Sequence, residues 1–261
     1  MMAVRWRGDA LNAWSRASGM LRSLALYYGP PGRAGRQRRF YRPFVGPGDL
    51  CFDIGAHVGD RTRCWSRLGA RVVAVEPQPD FAALLACLFG RNPAVALVDE
   101  AVAAAPGLFP LFASSRTPTV TTMSRDWIAA VRRAPSFSGV SWDRIHTVRA
   151  TTLDALIAQH GKPHFCKIDV EGFEAEILRG LSTPIDVVSV EFIPSACDVA
   201  LACIDRLTEI GPYRFNFSLG ESLRFALDGW IGADGARAWL EDRPFDGPSG
   251  DIFARLAPPR L

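Results

Sequence analysis

One unit constrains this chain more than any other. Leu50-Cys51-Phe52-Asp53-Ile54 is a short apolar run, Gly55 and Gly59 follow it, and Arg61 to Leu68 then suits a helix closed by Gly69. β-Branched residues dominate Arg71-Val72-Val73-Ala74-Val75-Glu76, and Pro77 ends that strand. Phe81 to Phe89 has helical spacing, with Gly90 as its stop. Strand, helix, strand, helix at this spacing implies a parallel sheet. Right-handed crossovers then put every strand's carboxyl end on one rim, where open α/β sheets bind ligands.

The rest of the chain extends the pattern. Val95 to Val98, Phe165 to Asp169, Asp186 to Phe192, Tyr213 to Ser218 and Asp251 to Leu256 read as strands, and Glu174 to Gly180 and Asp198 to Ile210 as helices. Ala101 to Arg149 is less regular. Leu108 to Ala113 and Thr119 to Met123 are short strand candidates there, and Pro135 to Gly139 is a loop. An irregular insertion beside the rim suits a substrate cover.

At 261 residues and 48% hydrophobic composition, the chain can bury a sizeable core, and one catalytic domain over residues 44–261 is expected. No apolar run is long enough to span a membrane and no signal-peptide pattern opens the chain, so the expected location is the cytoplasm. Six cysteines, none in a C-x-x-C pair, read as reduced core residues. The net charge of +3 makes no case for nucleic acid. Residues 1–43 differ: nine arginines face the single acid Asp9, interleaved with Trp14, Leu21, Leu24, Leu26, Tyr27 and Tyr28. This segment reads as a basic helical extension, with a linker over Pro31 to Pro43, that packs on the main domain or meets a membrane surface or an acidic partner.

A nucleotide-like ligand lying across the first turn needs the backbone to come close, which gives Gly55 and Gly59 a physical purpose. Asp53 stands just before the turn. Glu76, 23 positions later at the end of the next strand, is placed to accept both hydroxyls of a ribose. The turn Asp53-Ile54-Gly55-Ala56-His57-Val58-Gly59 is not G-x-G-x-x-G and lacks the third glycine that admits a pyrophosphate. Methyl transfer from S-adenosylmethionine is therefore the better reading, with an NAD-dependent oxidoreductase and a non-catalytic S-adenosylmethionine-binding module as alternatives. Singly, each residue has a plainer account as turn glycine, helix cap, strand-end charge or polar turn residue; jointly they favour a ligand.

His164-Phe165-Cys166-Lys167-Ile168-Asp169-Val170-Glu171-Gly172-Phe173-Glu174 is a second dense cluster, and Glu191 ends the strand after it. Alternation from the strand into the Gly172 turn directs at least one carboxylate toward the cleft holding Gly55.

Here the chain resembles the FkbM-type methyltransferases. The match runs from about Asp49 to Leu256 through C-F-D-I-G-A-H-V-G-D, V-V-A-V-E-P, V-R-A-T-T-L-D-A-L (Val148 to Leu156), K-I-D-V-E-G-F-E-A-E-I-L-R-G (Lys167 to Gly180), V-V-S-V-E-F (Val187 to Phe192) and D-I-F-A-R. The resemblance implies a class I methyltransferase fold, a Rossmann-like three-layer sandwich with a mostly parallel seven-stranded sheet. It also implies O-methylation of a sugar or polyketide hydroxyl. On it, Asp53, Gly55, Ala56, His57, Gly59 and Glu76 fall on the cofactor motif, and Asp99, Glu100 and Ala101 lie near the adenine. The chain departs from the family after Glu76, where Leu84-Leu85-Ala86-Cys87 replaces the usual asparagines, and residues 1–43 lie outside the match.

A hydroxyl acceptor must lose its proton, and Asp169 is the first candidate base, with Glu171 and Lys167 beside it. His57, His146 and His164 are rivals. Asp169 and Glu191 also offer the hard oxygen ligands that Mg²⁺ accepts. The expected partners are a small-molecule or glycan hydroxyl acceptor and a second copy of the chain.

Overall fold

In the computed structural model, residues 17–257 are described. Residues 17–28 form helix α1, followed by α2 (Arg33–Tyr41), β1 (Leu50–Ile54), α3 (Asp60–Arg67), β2 (Arg71–Val75), α4 (Pro79–Phe89) and β3 (Val95–Val98). An insertion carries β4 (Ala101–Val102), β5 (Gly107–Ala113), α5 (Arg125–Val131) and β6 (Arg144–Thr151). The chain closes with α6 (Leu153–His160), β7 (Phe165–Ile168), α7 (Glu174–Arg179), β8 (Val187–Phe192), α8 (Cys197–Ile210), β9 (Tyr213–Leu219), α9 (Ala233–Glu241) and β10 (Gly250–Leu256).

The seven-stranded sheet runs β3-β2-β1-β7-β8-β10-β9, parallel except for β10, which is antiparallel to both its neighbours. Alternating side chains divide each central strand between two helical layers. Phe52, Ile54, Cys166 and Ile168 face the core shared with α6 to α9. Cys51, Phe165 and Phe253 meet Tyr41 and Trp65 of α2 and α3 on the other side. This is the mostly parallel three-layer α/β arrangement expected from the sequence. Strand order reverses at β1 and β7, because β1 pairs with β2 on one side and with β7 on the other. The rim above those strand ends is where a ligand crevice opens.

The insertion is more ordered than its sequence suggests. β4, β6 and β5 form a three-stranded sheet, and α5 is capped by Ser124, whose hydroxyl accepts from the Trp127 N–H at 3.0 Å. The strand expected over Thr119 to Met123 is absent: Pro118 starts a short 3-10 turn, and only Thr122 bridges to Phe112. Proline at the first position and the Thr121 hydroxyl bonded back to the Pro118 carbonyl favour that turn over a ladder. The linker expected over Pro31 to Pro43 is largely α2, whose buried Arg33, Gln37 and Tyr41 face α3. Residues 1–16 of the basic extension lie outside the described residues. Cys51, Cys64, Cys166 and Cys203 are buried as expected, whereas Cys87 is exposed and Cys197 half-buried; all six are free. No helix among the described residues is long and apolar enough to cross a membrane.

Candidate functional site: an acidic cleft at the sheet rim

An open cleft of about 240 Å³ lies over the carboxyl ends of β1, β2, β7 and β8. Its first wall is the turn after β1. Gly55 sits at φ 83°, and a Cβ there would lie 2.0 Å from the Asp169 carbonyl oxygen, so the glycine lets the β1 and β7 ends touch. The N–H groups of Gly55 and Ala56 donate to the Val75 carbonyl at 2.9 and 3.0 Å, tying the turn to β2. Gly59, at φ 75°, abuts Phe89 and Leu85 of α4, and Ala56 is buried beside the same pair. Neither Ala56 nor Gly59 lines the cleft; both set the path of the turn.

His57 does line it. The residue holds φ 50°, a strained value for a side chain with a Cβ, and its ring lies tilted against Phe81, with centroids 4.2 Å apart. Burial lowers its pKa to about 4, against the pull of Asp60 and Asp169, so the imidazole is neutral, and its buried Nε2 has no partner among the described residues. The His57 backbone N–H donates to Glu76 Oε2 at 2.8 Å and the Gln78 N–H to Oε1 at 2.8 Å. Those two bonds orient Glu76 at the mouth of β2. Burial outweighs them and pushes its carboxyl up to about 7.

Asp53 lies below the cleft instead of in it. Its carboxylate accepts from the Thr62 hydroxyl at 2.5 Å, and burial raises its pKa to about 6 despite that bond. Asp99 borders a separate groove with Pro77 and Pro79, and Glu100 pairs with exposed Arg149 at 3.5 Å. Of that trio only Ala101 reaches the cleft, beside Val102.

The opposite wall is acidic. Asp169, Glu171 and Glu191 bring carboxylate oxygens within 4.8 Å of one another. Beneath them Lys167, 2% exposed, places its Nζ 3.1 Å from Asp169 and 2.6 Å from Asp251. Burial opposes the lysine's charge, and the two aspartates more than restore it. Burial likewise pushes Asp169 up, but Lys167 and Arg61 together hold it below the usual carboxylate range. Glu171 and Glu191 are driven well above that range by burial and by the neighbouring acids. Within the cluster the negative charge is thus favoured on Asp169, nearest Lys167, and disfavoured on Glu171 and Glu191. Glu171 holds φ 57°, its carbonyl accepts from the Thr122 hydroxyl at 2.6 Å, and its Oε2 is buried without a partner.

Three oxygen donors would suit a hard cation in number. Lys167 already pairs with one of the three, Asp169, at 3.1 Å. Sequence reasoning anticipated Gly55, His57, Glu76, Ala101, Asp169, Glu171 and Glu191 in this cleft. It missed Tyr27, Arg61, Gln78, Glu221 and Asp251, which also line it. Asp251 was visible within D-I-F-A-R, and Arg61 and Gln78 directly follow two of the quoted motifs; Tyr27 and Glu221 come from segments with no local motif.

The model of the methyltransferase FkbM domain matches residues 53–210. No curated protein matches the chain. Among solved structures, a precorrin-6y C5,15-methyltransferase of Geobacter metallireducens is 13% identical, with 86% of this chain and 87% of that one covered at a TM-score of 0.44. A SAM-dependent O-methyltransferase of Thermotoga maritima is also 13% identical, with 88% and 67% covered at 0.41. Fibrillarin of Aeropyrum pernix, with natively bound S-adenosyl-L-methionine, is 12% identical, with 81% and 68% covered at 0.39.

Proposed function

Because the chain belongs to the FkbM-domain methyltransferase family, we propose that it O-methylates a hydroxyl of a sugar, a polyketide-like small molecule or a glycoconjugate, using S-adenosylmethionine. The observation that carries this reading is the pairing of Glu76 and Asp169 across one cleft, each at the carboxyl end of a parallel strand. When bound, the cofactor would supply its sulfonium methyl group: the sulfur–carbon bond would break as the acceptor oxygen–carbon bond forms, leaving S-adenosylhomocysteine, with the hydroxyl proton passing to a base.

On the cofactor side, Glu76 would accept from ribose hydroxyls, its two backbone donors fixing the carboxylate in place. The unpartnered Nε2 of His57 gains a polar partner, and Ala101 and Val102 offer an apolar seat for a flat base. On the acceptor side, Asp169 is the carboxylate nearest Lys167 and the first choice of base; Lys167 and Arg61 hold its pKa below the usual range, which keeps it ionised but makes it a weaker base than a raised carboxylate would be. Glu171 and Glu191, whose pKa values burial and the neighbouring acids push up, would donate hydrogen bonds to acceptor oxygens in their neutral form. Lys167 acts from below as a positioning residue, keeping Asp169 ionised and oriented.

Titration calorimetry with S-adenosylhomocysteine and, separately, with NADH tests the cofactor. Binding of NADH alone would return the chain to the oxidoreductases. Asp169→Asn should leave S-adenosylhomocysteine affinity within about twofold and remove most turnover, by about 10²-fold or more. Unchanged turnover sinks the assignment, and binding without transfer to any hydroxylated acceptor would leave only a binding module.

A further inference from the structure

A second concavity lies on the far side of Tyr27, away from the acids. α1, α2 and α3 enclose a groove of about 320 Å³ whose wall includes Arg33, Arg38, Arg63 and Arg67 against one acid, Asp60. Asp60 is already committed to Arg61 at 2.6 Å, to Arg33 at 3.4 Å and to the Gln37 amide at 2.7 Å. Arg33 also holds Glu221 at 2.9 Å. Arg38, Arg63 and Arg67 have no carboxylate partner among the described residues, and Arg63 lies over the Tyr28 ring at 5.3 Å. Three uncompensated guanidinium groups on one cavity repel each other until an anion enters, and their planar forks suit phosphate oxygens.

The surroundings indicate where that phosphate comes from. Residues 17–48 contain six arginines and no acid. Leu21 and Leu26, on the outer face of α1, are 65% and 54% exposed, with exposed Arg22 between them, and Pro30 and Pro31 are exposed at the groove itself. Exposed apolar side chains on α1, the helix that supplies Tyr27 and Tyr28 to the groove, together with unpaired arginines fit a charged interface with an acyl layer beneath it. We propose that this groove binds the phosphate of an anionic phospholipid headgroup and that α1 and α2 dock the protein peripherally on a membrane surface. Tyr27 lines both the groove and the catalytic cleft, so the docked face adjoins the site.

Co-sedimentation of the full chain with phosphatidylcholine vesicles, with and without phosphatidylglycerol, tests this directly. Binding only to the phosphatidylglycerol vesicles, abolished by high salt, is the expected result. The double variant Arg38→Glu/Arg67→Glu should lower partitioning by about tenfold or more. Leu21→Ser/Leu26→Ser should lower it with the charge intact. Both variants change half-buried or exposed positions, and an unchanged thermal midpoint shows that they fold; the contrast between the two vesicle compositions needs no variant. Equal binding to both vesicles, undiminished binding of the arginine variant, or capture of inorganic phosphate or single-stranded RNA without vesicle binding would overturn the proposal.

Discussion

Gly55 shows how one missing side chain joins the two halves of the site. Any Cβ at this position meets the Asp169 carbonyl at 2.0 Å while the backbone is held at φ 83°. Gly55→Ala should therefore cost about 2–4 kcal/mol of stability, more than a surface substitution by several fold, as read from urea unfolding. A cost below about 1 kcal/mol would mean that the strand ends can part. Residues of this kind were legible in the sequence because their constraint is local: a glycine after an apolar run, an acid ending the next one. The purpose assigned to them was only partly legible. The glycines read as room for a ligand, whereas Gly55 makes room for the β7 backbone and Gly59 for α4. Asp53 read as a ligand contact and instead bonds Thr62 beneath the turn. Which side of a strand-end carboxylate faces the rim depends on register, and register is a property of neighbouring strands that the local motif does not contain.

Between elements, the strongest polar connection ties α2, α3 and the segment after β9. Arg61 bonds buried Asp60 at 2.6 Å and reaches Glu221 at 2.9 Å, while Arg33 meets the same two acids. Arg61→Ala removes the nearest guanidinium from an acid that burial would otherwise push up, so a loss of about 3–5 kcal/mol is expected. Glu221→Gln should cost under about 1 kcal/mol, because that side chain is 40% exposed and water screens it. Parallel denaturant curves of the two variants check the ordering, and equal losses would show that the segment after β9, not Asp60, governs the network. None of this was readable beforehand, since the partners lie on elements with no shared motif. Among the elements themselves, β1, β2 and β7 were plain from their apolar runs. β6 and α9 were hidden by the polar residues on their solvent faces, as in the alternation of Arg144–Thr151.

Across the whole molecule, buried acids set the response to pH. Burial raises Asp53 to about 6 and Glu76 and Glu174 to about 7. An acid whose pKa is higher folded than unfolded adds stability that is complete below its unfolded value and is lost as pH rises through its folded value. The ligand-free protein should therefore melt at progressively lower temperature between about pH 5 and about pH 7.5 as these three acids ionise, with His57, lowered by burial to about 4, opposing them at the acid end of that interval. Asp60 and Asp169, held below the usual range, act in the opposite sense and lose their contribution only in stronger acid. Scanning calorimetry across that interval checks the sign, and a midpoint that climbs with pH contradicts it. The position of β1 between β2 and β7 has one more consequence, which concerns time. As the chain leaves the ribosome, β1, β2 and β3 emerge together and can pair at once, whereas β7 arrives only after the entire insertion has been made. The growing chain thus holds the β1 turn and Glu76 beside an exposed strand edge until β7 brings Asp169 and Glu171, so a nascent chain stopped after β6 has one wall of the cleft and not the other.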